Sequence, residues 1–379
     1  MGKVIVARVQ TKRQMSDFVG VTRLIYRGCE QYVPDLDNDT RKLFDPQKNP
    51  GIDFCDLQAF VAYRDKKPVG RVVGIVNHKA NKHWQQRAVR FSMIEFIDDV
   101  EVSQALIDAV IQWGREAGMD LLQGPLGITD FDKEGMLLSD FHLTGSVNTI
   151  YNPDYYPRHM ERLGMEKAVD WVQVRIQIPA ETPARYQRVA QYCREQMKLR
   201  VVKLTKRELV QEGMGLKAFH LLNECYASLY GFSKLSEEQI QFFLKKFIFV
   251  VDMDLIPFVL DEQNDVVGVA ITIPSLSQAL RKADGKLLPL GWYHLLRSLK
   301  WRHEDNAEML LIAVRPDLQG YGVNALFFDD LIPIYNKYGF RWAETGPQLE
   351  DNMRELTQWK PLHPEIVKRR RCYQLRIKR

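Results

Sequence analysis

The sequence predicts a mixed α/β fold, α+β in its strand pairing, with one layer of mixed sheet carrying helices on its faces and built twice in tandem. Three observations predict it. Strand-like runs of alternating and β-branched residues exchange with segments of helical spacing along the whole chain. A set of short matches recurs in the same order about two hundred residues later. One stretch, Asn306 to Leu331, reads as strand, glycine turn and helix. At 379 residues, 45% apolar and 27% charged, the chain has material for two domains with cores of their own.

Taken in order, a short strand near Val4–Val9 precedes a segment of helical spacing from Met15 to Gln31 and a polar, proline-bearing connection from Pro34 to Gly51. Two strand-like runs, Phe60–Tyr63 and Val69–Val76, flank the charged turn Arg64–Pro68 and predict a hairpin. Val89–Ile97 reads as a strand, and Val100–Ala117 as a helix stopped at Gly118. In the later half, Ala184–Lys198 has helical spacing and Leu199–Leu204 reads as a strand.

The repeat sets the domain division. Phe258-Val259 and Val267-Gly268 repeat the spacing of Phe60-Val61 and Val69-Gly70. Ala105-Leu106, Gly118-Met119 and Gly124-Pro125 correspond to Ala325-Leu326, Gly339-Phe340 and Gly346-Pro347, and Gln173–Ile176 is mirrored by Gln374–Ile377. Pro179 and Pro183 bracket a short polar link, which predicts halves of 1–179 and 184–379.

Composition excludes several classes. The net charge of +5 is modest and gathers near the end, in Lys368-Arg369-Arg370-Arg371, Arg376, Lys378 and Arg379, which reads as a solvated basic terminus and gives little reason to expect a nucleic-acid partner. An RNA-dependent activity would rest on that terminus alone. Five scattered cysteines without a CxxC pair argue against a disulfide framework or a zinc site, and His220, His294 and His363 stand alone, so no metal is expected. No apolar stretch is long enough to span a bilayer, and a soluble, cytoplasmic protein is expected; oligomeric state is not legible.

The chemistry concentrates in the second half. Arg315-Pro316 stops the apolar strand Met309–Val314, because proline gives no N–H to a ladder, and Gln319-Gly320-Tyr321-Gly322 turns the chain into a helix. The first N–H groups of a helix lack intrachain partners, glycines let a ligand approach the backbone, and the dipole favours an anion. The equivalent of this turn in the first half, Asp99-Val100-Glu101-Val102-Ser103-Gln104, has no glycine and two carboxylates, which satisfy the dipole and repel a phosphate. The first half is therefore expected to be structural or to wall a cleft.

Val314 to Val323 resembles the acyl-CoA-binding motif of the GNAT N-acyltransferases, [Q/R]-x-x-G-x-[G/A] after a strand. Gln319 and Gly322 match, while Asn324 stands where Gly or Ala is usual. The alternative register on Gly320 and Gly322 puts Asp317 at the Gln/Arg position. The first half carries a fainter likeness, since Asn152–Tyr156 and Met160–Met165 are similar to the late helix of that family. The resemblance implies acetyl-CoA or another acyl-CoA as co-substrate, held by Gln319, Gly320, Tyr321, Gly322, Val323 and Asn324, with the backbone of Ile312 and Val314 pairing with the pantetheine amides and Asn352 on the late helix. It also implies that Glu308 is the general base. Period two puts Glu308 on one face with Leu310, Ile312 and Val314, where apolar neighbours raise its pKa towards the working range. The usual tyrosine seven residues after the late-helix asparagine is here Trp359, leaving Tyr321 or Tyr373 as proton donors. Trp292, Tyr293 and Trp301, with Leu295, Leu296 and Leu299, read as core packing or as the lining of an acyl site. The function expected is transfer of an acyl group, acetyl first, from CoA to the primary amine of a small molecule or peptide. The alternative is a catalytically silent module that binds a ligand or partner in the same cleft.

Overall fold

In the computed structural model, which describes residues 2–248, 251–301 and 304–378, the first half runs β1 (Ile5–Arg8), α1 (Lys12–Ile25), α2 (Asp37–Lys42), β2 (Cys55–Arg64), β3 (Lys67–Asn77), α3 (His78–His83), β4 (Ala88–Phe96), α4 (Val100–Glu116), β5 (Leu121–Gly124), β6 (Met136–Leu137), α5 (Tyr155–Arg162) and β7 (Glu166–Gln177). The second runs α6 (Ala184–Glu195), β8 (Arg200–Lys203), α7 (Lys206–Val210), α8 (Met214–Cys225), α9 (Glu237–Phe247), β9 (Pro257–Leu260), β10 (Val266–Pro274), α10 (Ser277–Ala283) and α11 (Gly291–Lys300). It ends with β11 (Asn306–Val314), α12 (Asn324–Tyr338), β12 (Trp342–Thr345), β13 (Gln348–Leu349), α13 (Met353–Thr357) and β14 (Glu365–Arg376). The hairpin predicted around Arg64–Pro68 is β2–β3, and the two parallel pairs, β4–β5 and β11–β12, each follow a crossover helix.

Among the described residues all fourteen strands belong to one sheet, twelve of them on the path β1-β2-β3-β4-β5-β14-β7-β12-β11-β10-β9-β8. The two last strands are exchanged. β14 closes the second half in sequence yet lies between β5 and β7, and β7 closes the first half yet lies between β14 and β12. The short strands follow the same symmetry, β6 pairing with β14 and β13 with β7. Each half thus completes its sheet with a strand of the other.

The exchange overturns the reading of the basic terminus as solvated. Lys368 is 2% exposed and Arg370 1% exposed, at the centre of the sheet. An unpaired ion there would cost several kcal/mol, and each has partners: Lys368 Nζ lies 2.5 Å from Glu344 Oε1, and Arg370 Nε donates to Gln173 Oε1 at 2.9 Å. Arg371 pairs with Asp170. Arg369, Arg376 and Lys378 do face solvent, and Arg379 falls outside the described residues.

Helices cover both faces. On one face of the second half, α12 and α6 bury Leu326, Phe327, Leu331 and Tyr335 together with Tyr186 and Ala190. On the other, α8 and α9 bury Phe219, Leu222, Ile240 and Leu244 against Val269 and Ala313. In the first half, α4 presents Val102, Leu106, Ile107 and Val110 at helical spacing to the sheet.

Candidate active site

The parallel pairing of β11 with β12 runs from Asn306↔Trp342 to Met309↔Thr345 and stops. β11 continues to Val314, whereas the chain after Thr345 turns away so that β13 pairs with β7. Two parallel strands that part in this way open a V-shaped cleft in the sheet. It leads into a cavity of about 2410 Å³, mainly apolar, that reaches under α8 and α9 and onto the first-half loop 125–134. The amide of Arg315 donates to Val267 C=O at 2.9 Å, so by alternation the backbone groups of Ala313 and Leu311 serve the ladder with β10 and those of Ile312 and Val314 face the cleft. Their carbonyls confirm it: Ile312 accepts from Tyr226 Oη at 3.1 Å, and Val314 from Gln319 Nε2 at 2.9 Å and Cys225 Sγ at 3.2 Å.

At the open end of the V, Gly320 and Gly322 adopt φ of +87° and +85°, the left-handed region in which glycine is unstrained. Tyr321 N–H donates to Leu318 C=O at 3.5 Å, and the amides of Ala325 and Leu326 reach the carbonyls of Gly322 and Val323. Among the described residues, the amides of Gly320, Gly322, Val323 and Asn324 donate to no carbonyl or side chain, and no side chain caps α12. A Cβ on Gly322 would lie 2.4 Å from Val189 Cγ1, so α6 seats the turn. Asn324 Nδ2 donates to Gln358 Oε1 at 3.1 Å, and Asn352 Nδ2 to Glu355 Oε2 at 3.0 Å, placing both asparagines and Gln319 on the wall of the same cavity. Tyr321, 63% exposed, points outward from the turn.

The first half is closed at the matching place. Asp99 caps α4, accepting from the amides of Glu101 at 2.9 Å and Val102 at 3.4 Å, and Arg64 pairs with both Asp99 and Glu101. The Arg64 guanidinium holds the Asp99 carboxyl below its ordinary range. An anion has nothing left to bind there.

Glu308 is buried, and the period-two reading of its face is wrong for a specific reason. The β10–β11 register shifts between Ile271 and Thr272, with Ile271 opposite Leu311 but Thr272 opposite Met309. The one-residue bulge at Leu310 turns Glu308 to the face of Leu311 and Ala313, away from Ile312 and Val314. There it lines a separate, more polar cavity of about 800 Å³ shared with Ser275, Ser277, Glu344 and Lys368. Ser275 Oγ donates to Glu308 Oε1 at 3.0 Å and Ser277 Oγ at 3.4 Å, while Oε2 is buried without a hydrogen-bond partner. Burial lifts its pKa to about 7; the Ser275 hydroxyl and the Lys368 ammonium hold it down and Glu344 pushes it further up. The bulge is where the two cavities adjoin, since Met309 and Leu310 line the large one.

Neither tyrosine proposed as a donor is in the cleft. Tyr321 is outward, and Tyr373 is packed in the first-half core. The hydroxyl that sequence reasoning missed is that of Tyr226, which reaches Ile312 C=O from just beyond the end of α8; burial raises its pKa strongly, so it is a neutral donor. No spacing marks it, because α8 and β11 are brought together only by the sheet. Glu355, with a pKa lifted to about 7 by burial, and Asp130, lifted likewise, add titratable carboxyls to the cavity wall. The aromatic segment is not core: Trp292, Tyr293, Leu296 and Trp301 are exposed, and only Leu295 and Leu299 turn inward to the cavity.

No family model matches the chain. It is 23% identical over 375 residues to Protein YghO of Escherichia coli (strain K12), covering 97% of this chain and 94% of that protein. It is 25% identical over 313 residues to the bacterial ceramide synthase of Caulobacter vibrioides, covering 82% and 80%. Among solved structures, a tandem GNAT protein from the clavulanic acid biosynthesis pathway superposes with a TM-score of 0.58 at 10% identity, over 100% of this chain and 99% of that one. A GCN5-related N-acetyltransferase from Sphaerobacter thermophilus does so with a TM-score of 0.51 at 11% identity, over 99% and 96%. The chain has the tandem GNAT fold.

Proposed function

We propose that this protein is an acyl-CoA-dependent N-acyltransferase that works in the second-half cleft, with residues 1–179 as a degenerate, wall-forming half and residues 184–379 as the half that binds acyl-CoA. The observation that carries the reading is the set of unengaged amides of Gly320, Gly322, Val323 and Asn324 at one end of a parted pair of strands whose other end holds a buried carboxyl, Glu308. Bound acyl-CoA supplies the activated acyl carbonyl and a thiolate leaving group. The turn holds its phosphates, with Gln319 and Asn324 beside them and Asn352 further along the wall. Ile312 and Val314 hold the pantetheine through backbone hydrogen bonds. An amine entering through the polar cavity meets Glu308, whose carboxylate takes its proton as the nitrogen attacks the carbonyl carbon and the C–S bond breaks. The neutral Tyr226 hydroxyl donates a hydrogen bond to the leaving thiolate, and the proton that Glu308 takes from the amine passes to that sulfur as the thiol leaves.

The acyl group is a long chain rather than acetyl. Ligand pockets usually span about 300–1,000 Å³, and this cavity is larger and mainly apolar. A relative carries the name ceramide synthase, and a ceramide is a fatty amide of a long-chain amino alcohol. Such an amine is the acceptor class that fits. The reading of a catalytically silent binding module has one observation in its favour, the protein side chains already set on the carbonyls of Ile312 and Val314. Calorimetry with acyl-CoAs of increasing length, followed by mass spectrometry of products formed with long-chain amines, decides. Tight binding of long chains with amide product supports the proposal, binding without product supports the silent module, and no binding at millimolar ligand removes both CoA readings.

A further inference from the structure

Half of the large apolar side chains exposed among the described residues, seven of fourteen, fall between Leu287 and Trp301. Leu287, Leu288 and Leu290 precede α11, Trp292, Tyr293 and Leu296 lie on its outer face, and Trp301 follows it. Leu288 is 77% exposed, Trp292 47% and Trp301 54%. The patch is contiguous, with ring centroids 6.3 Å apart for Trp292–Tyr293 and 5.6 Å for Tyr293–Trp301. It is also built, not left over from an unpacked helix. Gly291, Leu295, Ser298 and Leu299, at helical spacing, seat α11 on Leu276, Leu280 and Leu310, and Ser298 Oγ is fixed to Glu304.

The surroundings say what covers it. Exposed Arg281, Lys282, Lys286, Arg297 and Lys300 rim the patch, while the acidic residue within it, Asp284, is drawn towards Arg23 at 3.8 Å. Leucines and tryptophans on one face with cations beside them match an anionic lipid interface, where indole rings settle at headgroup depth and Lys/Arg meet phosphates. Among the described residues no helix is long and apolar enough to cross a membrane, so this surface would lie on a bilayer. Its place in the fold is continuous with the site: Leu295 and Leu299 line the large cavity, and Arg281, Lys282 and Asp284 line the polar one beside Glu308.

We propose that the segment 281–301 docks the protein on the surface of an anionic lipid bilayer, setting both cavities at the membrane. This stands on exposure and charge and does not depend on acyl transfer. The test is flotation of the full-length chain with vesicles of phosphatidylcholine alone and of phosphatidylcholine mixed with phosphatidylglycerol. The parent chain should float with the mixed vesicles, at least about tenfold more than with neutral ones, and the bound fraction should fall with salt. Leu288→Glu with Trp292→Glu should remove flotation, and Lys300→Glu should reduce the preference for the anionic lipid; both positions are exposed, and circular dichroism and melting should be unchanged. Absence of flotation by the parent, or equal flotation of the double variant, overturns the proposal. So does sedimentation showing that the parent self-associates through these residues, with the double variant monomeric.

Discussion

Lys368, on the last strand of the chain, reaches across β7 to place its ammonium 2.5 Å from the carboxylate of Glu344 on β12. Gln173 and Arg175 of β7 bond the same carboxylate at 3.0 and 2.9 Å. The exchange of terminal strands is therefore tied by a buried charge cluster with members from β7, β12 and β14. Burial lowers the pKa of Lys368 and Glu344 raises it back, so the pair depends on its geometry.

Removing one partner of such a pair leaves the other buried. Lys368→Met should cost about 3 kcal/mol, the low end for breaking a buried pair, because Gln173 and Arg175 still serve Glu344. The further change Glu344→Leu should recover part of that loss. Urea unfolding of the two variants measures both, and a Lys368→Met protein as stable as the parent would mean that the cluster is incidental to the exchange.

Glu308 gives a pH dependence of stated sign. As a base it works ionised, so kcat/KM should rise as pH climbs through about 7 and level off above. Glu308→Gln should lose about 10²- to 10⁴-fold in kcat and the pH dependence with it. Stability runs the other way. Its folded pKa lies above its ordinary 4.5, so the folded state keeps a proton the unfolded chain has lost, and stability falls as pH rises from about 4.5 to about 7. The Gln variant should match the parent below that window and be the more stable above it; a variant less stable at pH 8 would refute the buried-carboxylate account.

The hairpin, the alternation of strands with helices and the glycine turn were legible because each is local: alternation, a proline stop and glycines report on backbone within a few residues. The exchanged strands were not. Nothing local marks Glu365–Arg376 as a central strand: Lys368 is buried against Glu344, and Arg370 against Gln173 and the carbonyls of Gly135 and Ile150, partners up to 235 residues away in the sequence. The same limit explains Glu308. Its raised pKa agrees with the reading of the strand, while its face was misread because one bulge residue, Leu310, inverts the alternation and leaves no mark in the sequence. Tyr226 escaped for want of any local signal.

At the turn, Gly322→Glu is a poor probe, because any Cβ there strikes Val189. Gly320 has open space around its Cβ position. Gly320→Asp should cost only about 1–2 kcal/mol of strain at positive φ, yet it sets a carboxylate beside the free amides. Affinity for acyl-CoA should fall at least about tenfold with the melting temperature lowered by a few degrees. Unchanged affinity by calorimetry would remove the phosphate site from the turn.

Chain length offers a separate handle on the large cavity. Ala218 lies on the wall contributed by α8, packed among the same residues as Phe219 and Leu222. Ala218→Phe puts a ring into space that the parent leaves for ligand, so the overpacking cost of about 1–3 kcal/mol seen in filled cores should be largely avoided. Glu308, behind the bulge, and the Tyr226 hydroxyl, beyond the far end of α8, are untouched. Turnover with long-chain acyl-CoA should therefore drop about tenfold or more, mostly through KM, while turnover with short acyl-CoAs holds, because only the distal part of the chain meets the ring. A parallel fall for short and long chains would show instead that the acyl group does not enter beneath α8, and that the apolar cavity serves the acceptor.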